Sequence, residues 1–156
     1  MIRKPKRKSK KKDFKRATYV DALDSVFSHY IRQKAADDDG MVGCFTCTAI
    51  GHWKTMQCGH YFSRKSLSTR WDERNVRVQD MHCNVFIGGN YPVFGVRLAQ
   101  EIGADGMAEL ERLNKQVVKL DNNDLVAKIR MYYLQLRWPD EISLTLRKQL
   151  KQLKII

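Results

Sequence analysis

The sequence contains no run of about 18 apolar residues, the length that crosses the hydrocarbon core of a bilayer, so no transmembrane helix is predicted. Its lysine-rich start is not followed by an apolar segment, which removes the pattern of a secretory signal. There is no internal repeat and no heptad array, setting aside solenoids and coiled coils. Acidic residues are nearly missing from residues 1–16, MIRKPKRKSKKKDFKR, where ten lysines and arginines stand against one aspartate. Such a run repels itself and has little apolar area to bury, so residues 1–16 are expected as a disordered basic arm. The arm also lacks the large apolar residues of an amphipathic anchor, which argues against a membrane partner. Phosphate is its natural counter-charge, and Lys4, Lys6, Arg7, Lys8, Lys10, Lys11 and Lys12 are candidate nucleic-acid contacts.

What remains is enough for one folded unit: 156 residues, 43% hydrophobic and 10% aromatic, with most of the net charge of +12 confined to the arm. Tyr19, Val20, Leu23, Val26, Phe27, Tyr30 and Ile31 recur at helical spacing, which predicts an amphipathic helix within residues 17–40 that ends near the Asp37–Gly40 turn. Helical periodicity returns in residues 92–156. There, Pro92–Ile102 is closed by Gly103, Gly106–Lys119 follows, Asn123–Trp138 is preceded by Asp121 and stopped by Pro139, and the last residues form a final amphipathic segment. Residues 41–91 read differently, as short β-prone pieces such as HYFS and NVRVQ among loops. A segment with so little apolar mass needs a staple.

Four cysteines supply one, and without an export signal they point to a reducing compartment, where thiols bind metal more often than they pair. Cys44 and Cys47 have the two-residue spacing that lets both thiolates reach one ion at about 2.3 Å. A redox pair of this spacing needs a strand-to-helix setting, which the turn around Gly43 does not supply. Cys58 and Cys83 complete a four-thiolate set that uses every cysteine in the chain, with Asp80, His82 and His60 as rival ligands and zinc as the expected ion. Arg64, Arg70, Arg74 and Arg77 cluster around this stretch and are expected to touch phosphates. Trp53, Tyr61, Phe62 and Trp71 are expected in the core, and His29 has no motif around it.

The order of His60, Asn75 and Asn84 threaded through a cysteine-stapled segment resembles the HNH motif of the His-Me finger, or ββα-metal, nucleases. More narrowly, MQCGHYFSRKSLSTRWDERNVRVQDMHCNVFIGGN resembles the NinG (Rap) family of phage recombination endonucleases, whose basic start, early Cys-x-x-Cys and helical end also fit. The resemblance implies an α+β fold: a small ββα-metal core in residues 41–91 with a structural zinc site, flanked by the N-terminal helix and by a C-terminal helical region. It implies His60 as general base, Asn75 as a support for the loop that presents it, and Asn84 as a holder of catalytic Mg²⁺ or Mn²⁺. The substrate would be branched DNA such as a Holliday junction or D-loop, cut by a protein that is a candidate homodimer in the cytoplasm of an infected bacterial host. Two departures stand out. Gly59 occupies the position where many HNH sites have an aspartate, leaving Asp72, Glu73 or Asp80 to supply a carboxylate, and Asp80-Met-His-Cys83 replaces a second Cys-x-x-Cys. The competing reading is a zinc-stapled nucleic-acid-binding module that does not cut. A scaffold for recombination partners is a third.

Overall fold

Helix α1, Arg16–Ala35, starts without a side-chain cap and without an acid in its first turn, so its N-terminus does little to hold it. Burial does. Ala22, Leu23, Val26, Phe27 and Tyr30 present one apolar stripe that packs on helix α4, Asn122–Leu134, and helix α5, Leu144–Gln152. These belong to the computed structural model of the chain, which describes residues 14–156. The basic arm, including Lys4, Lys6, Arg7, Lys8, Lys10, Lys11 and Lys12, lies outside the described residues.

The architecture is a mixture of helices with two small antiparallel sheets, the α+β class. Strands β1, Met41–Gly43, and β2, Ile50–His52, form one hairpin with Val42 opposite Gly51. Strands β3, Gln57–His60, and β4, Val76–Gln79, form the other, with Cys58 opposite Val78 and His60 opposite Val76. The sequence HYFS is therefore strand only at His60, because Tyr61 already turns into the connection that carries the short helix α2, Leu67–Arg70. A π-helical turn, His82–Phe86, follows β4 and leads into helix α3, Tyr91–Asn114.

Helix α3 joins what the sequence divides into two helices. Its chain breaks direction at Gly103, whose φ of +71° and ψ of 175° are open only to glycine, and it stops at Asn114, short of the expected Lys119. Helix α4 begins with a capping box between Asp121 and Asp124, as the asparagine-rich run suggests, but ends at Leu134 rather than Trp138. Trp138 instead stacks on Trp53, ring centroids 6.0 Å apart, tying the C-terminal helices to the strand region.

Two apolar clusters result. The larger joins α1, α4 and α5 to Trp53, Trp71, Val76 and Val78. A smaller one, Phe94, Leu98 and Leu110 on α3, takes Phe45, Tyr61 and Phe62 against it. The β3–β4 hairpin packs against α1, and all four aromatics expected in the core serve these clusters.

Candidate metal centre and adjoining groove

Cys44 and Cys47 lie in the β1–β2 connection, and Asp80 and Cys83 in the turn after β4. One donor atom from each lies within 4.8 Å of all the others. A tetrahedron of ligands at about 2.3 Å has edges of about 3.8 Å, so small side-chain adjustments would close these four donors on one ion. Backbone contacts build the cradle: Phe45 N–H donates to Val78 O at 2.8 Å, joining the cysteine turn to β4, and Ala49 N–H donates to Cys47 Sγ at 3.4 Å. Cys83 N–H donates to Asp80 Oδ1 at 2.6 Å, which holds that carboxyl below the usual carboxylate range. The Ala49 N–H favours the Cys47 thiolate, but burial and the adjoining Cys44 and Cys83 thiols push it up to about 12. The Cys47 and Cys83 thiols resist ionising in this cluster, and a shared cation relieves that cost. Three soft sulfurs and a carboxylate fit zinc.

The fourth donor corrects the sequence reading: it is Asp80, and Cys58 is outside the set. Strand alternation is the reason. On β3, Cys58 and His60 point to one face and Gly59 to the other, where a Cβ on Gly59 would meet Gln79 Oε1 at 2.0 Å. Gln79 in turn donates to Thr46 Oγ1, inside the cysteine turn, at 2.8 Å. The metal centre therefore adjoins the Gly59 face, and Cys58 faces away from it, beside Arg32, with burial pushing its thiol up to about 12. His82 is exposed on the π-turn, and His60 is likewise outside the cluster.

That other face opens a groove of about 620 Å³ in which His60 and Asn84 meet, together with Arg32, Gln57, Cys58 and Arg64. The His60 ring is set by its Nε2, 2.9 Å from the Arg70 carbonyl; since a carbonyl only accepts, Nε2 carries the proton and Nδ1 is the basic nitrogen. Burial lowers the His60 pKa below 6.5, partly opposed by the Arg70 carbonyl. Asn84 donates to Gln57 Oε1 at 2.6 Å, joining the π-turn to β3. Asn75 lies outside the lining of this groove. It is fully buried, accepts from Phe62 N–H at 2.7 Å, and donates to Phe62 O at 3.0 Å and Thr69 O at 2.9 Å, pinning both ends of the loop between β3 and α2.

Of the four arginines, only Arg64 lines this groove. Arg70 is paired with Asp24, Arg74 with Asp72, and Arg77 with Glu101, the last two beside a separate depression next to Ile31 and Lys34. The three candidate carboxylates are also engaged elsewhere. Asp72 holds Arg74, Glu73 holds Lys34, and Asp80 belongs to the thiol cluster, so among the described residues no carboxylate lines the groove. At Gly59 the strand has no room for an aspartate in any case, because Gln79 fills the space that its side chain would need.

Two residues of α1 escaped the sequence reading. Asp24 accepts from Arg70 Nε at 2.9 Å and from Trp71 Nε1 at 2.8 Å, clamping the strand connection to α1 and so fixing the Arg70 carbonyl against His60. Arg32 donates to the carbonyls of Ser28, Trp53 and Met56, at 3.0, 2.9 and 3.1 Å, and lines the groove with no carboxylate paired to it among the described residues. An acid and a base on the polar side of a helix carry no local signal of either role.

No curated protein and no solved structure matches the chain. A family model does, over residues 2–140, and its description is bacteriophage lambda NinG protein.

Proposed function

Since the chain belongs to the NinG family, whose model covers residues 2–140, we propose that it is a DNA endonuclease of HNH type that hydrolyses phosphodiester bonds in branched recombination intermediates. The observation that carries this reading is the convergence of His60 and Asn84 on one cation-lined groove, with Asn75 bracing the loop behind. The β3–β4 hairpin, π-turn and α3 follow one another as the two strands and helix of a ββα finger would. The thiol cluster staples the hairpin's far face with structural zinc, held by Cys44, Cys47, Asp80 and Cys83.

In this reading His60 Nδ1 takes the proton of an attacking water, while Nε2–H stays on the Arg70 carbonyl and holds the ring in one tautomer. Lowered basicity keeps the ring neutral at neutral pH. Arg64 and the unpaired charge of Arg32 supply fixed cations toward which negative charge on the phosphate can develop. Mg²⁺ and Mn²⁺ prefer oxygen donors, and the groove offers amide oxygens without a carboxylate, so these residues alone do not fit such an ion. A divalent ion would have to arrive chiefly on the phosphates of the DNA. The basic arm adds salt-dependent affinity without sequence preference. A homodimer would suit a two-fold substrate, and the setting would be the cytoplasm of an infected host.

The missing groove carboxylate favours one alternative, a zinc-stapled DNA-binding module that does not cut. A four-way junction and a matched linear duplex, each incubated with Mg²⁺ and either the native chain or His60→Ala, separate the two. The enzyme reading expects junction cleavage that His60→Ala abolishes with DNA affinity retained. No cleavage by the native chain under any divalent ion supports the module, and equal cleavage of both DNAs removes the branch selectivity.

A further inference from the structure

The turn that follows Asn84 carries side chains for which neither the staple nor the hydrolysis has a use. Val85, Phe86 and Ile87 are consecutive and exposed, at 57, 72 and 47%, and Met81 and Tyr91 on either side of them are also exposed. An apolar group of this kind on a basic chain is more than the scattered leucine or valine that any surface shows.

The tip is not loosely held. Ile87 N–H donates to His82 O at 3.0 Å and Gly89 N–H to Cys83 O at 2.8 Å, so the turn closes on the residue that supplies a donor to the thiol cluster. Gly88 and Gly89, with φ of +62° and +95°, let the chain double back and leave the three side chains at its crest. The Phe86 ring has the His82 imidazole beside it, centroids 6.2 Å apart.

Its surroundings point to an occupant. Val85 and Tyr91 line the same groove as His60 and Asn84, so the apolar tip is continuous with the place where the proposed phosphate lies. No aspartate or glutamate occurs anywhere in residues 81–100, while Arg32 and Arg64 stand in the adjoining groove. Apolar and aromatic groups bordered by cations, with acids excluded, complement base faces bordered by phosphates. A second copy of this chain, at a net charge of +12, is a poorer complement.

We propose that Val85, Phe86 and Ile87 form a wedge that inserts between bases beside the phosphate held over His60, and that this wedge is the source of preference for branched DNA. The inference rests on the endonuclease reading for its placement. Insertion into continuous duplex must break stacking, whereas at a branch point stacking is already interrupted, so the wedge enters there at lower cost.

The test uses the full zinc-loaded chain and an immobile four-way junction with 2-aminopurine at the branch point, beside the same label in linear duplex, with Ca²⁺ as the only added divalent ion. The native chain is expected to raise the junction's fluorescence. Phe86→Ser with Ile87→Ser is expected to abolish that rise and to cut the junction-over-duplex affinity ratio about ten-fold, the scale of losing one stacked base. Phe86→Leu should retain most of both, and equal zinc content and thermal midpoint confirm that these exposed substitutions leave the fold alone. An unchanged ratio and fluorescence in the double serine variant overturn the wedge, even if the native chain cuts junctions. So does a native dimer that the serine variant splits while DNA preference stays the same. A native chain that shows the fluorescence rise but never cuts DNA supports the wedge and defeats the nuclease.

Discussion

The helical part of the molecule and the cysteine-bearing part are held together by different physics. Between α1, α4 and α5, Leu23, Val26, Phe27, Leu125, Ile129, Leu146 and Leu150 are all essentially removed from water, and the work is shared among many interchangeable contacts. Between residues 41 and 90 the strands are three or four residues long, and single polar side chains carry the structure: Arg32 on three carbonyls, Asn75 on the loop, Gln79 on Thr46 and Gly89, and the thiol cluster. A core of the first kind loses stability in proportion to what is removed. One of the second kind loses an element at a time, and the groove is built there.

Removing the metal donors should have the largest effect. Cys83→Ala, or chelation of the native chain, is expected to abolish zinc binding and to cost about 5 kcal/mol, with amide protection lost first in residues 41–90 and later in α1 and α4. Hydrogen exchange read by mass spectrometry checks this; simultaneous loss in both parts would erase the contrast between them.

A pair of single substitutions comes next. Ile129→Ala should cost about 3 kcal/mol by leaving a cavity, with cleavage per folded molecule unchanged. Asn75→Ala should cost about as much, because the Phe62 N–H and two carbonyls lose their partner in a buried setting, and should also remove cleavage by freeing the loop behind His60. Denaturant unfolding alongside junction cleavage distinguishes them. Retained activity in Asn75→Ala would detach the loop from the chemistry.

Acid provides a smaller probe. Burial lowers the pKa of His60, and of His29 on α1, from 6.5, so between that value and the folded one the unfolded chain binds more protons than the native chain. Stability from these two groups is complete above pH 6.5 and is lost as pH falls through their folded values. Cleavage, which needs neutral His60, should retain its activity to below pH 6.5 before declining. A pH profile whose acid limb lies above 6.5 would remove His60 as the base. His29→Gln should flatten part of the stability slope and leave that limb in place.

The smallest change should be Asp80→Cys. It restores the four-thiolate set at the position the turn has already prepared, and is expected to slow zinc release to a chelator with cleavage unaltered. Faster release would mean that the Asp80 carboxylate is the better ligand in this cradle.

Much of this was legible in the residues and some was not. Helical periodicity locates α1 and the C-terminal helices, because burial of one stripe is a local, repeating demand. It misplaces their ends, because Gly103 bends one helix instead of terminating it and Trp138 is drawn away to Trp53. Cysteine spacing brings together Cys44, Cys47 and Cys83. It cannot rank Cys58 against Asp80, since only the pairing of β3 with β4 shows that Cys58 takes the face turned away from the cluster that Asp80 joins. Arginines 70, 74 and 77 look equivalent to Arg64 in the chain, and only the fold shows that Arg70 is held by Asp24, Arg74 by Asp72 and Arg77 by Glu101 away from the groove, while Arg64, 3.9 Å from Asp24, lines it.

By itself the sequence determined the helices, the thiol-bearing turn, the order of His60, Asn75 and Asn84, and the family. Each of these depends on residue types at short, regular separations. Only the tertiary structure decided that Asp80 completes the donor set, that Asp24 and Arg32 of α1 border the imidazole's surroundings, and that an apolar crest stands beside the groove. Those facts depend on which faces meet across tens of residues, a matter of strand register and helix packing that no local pattern encodes.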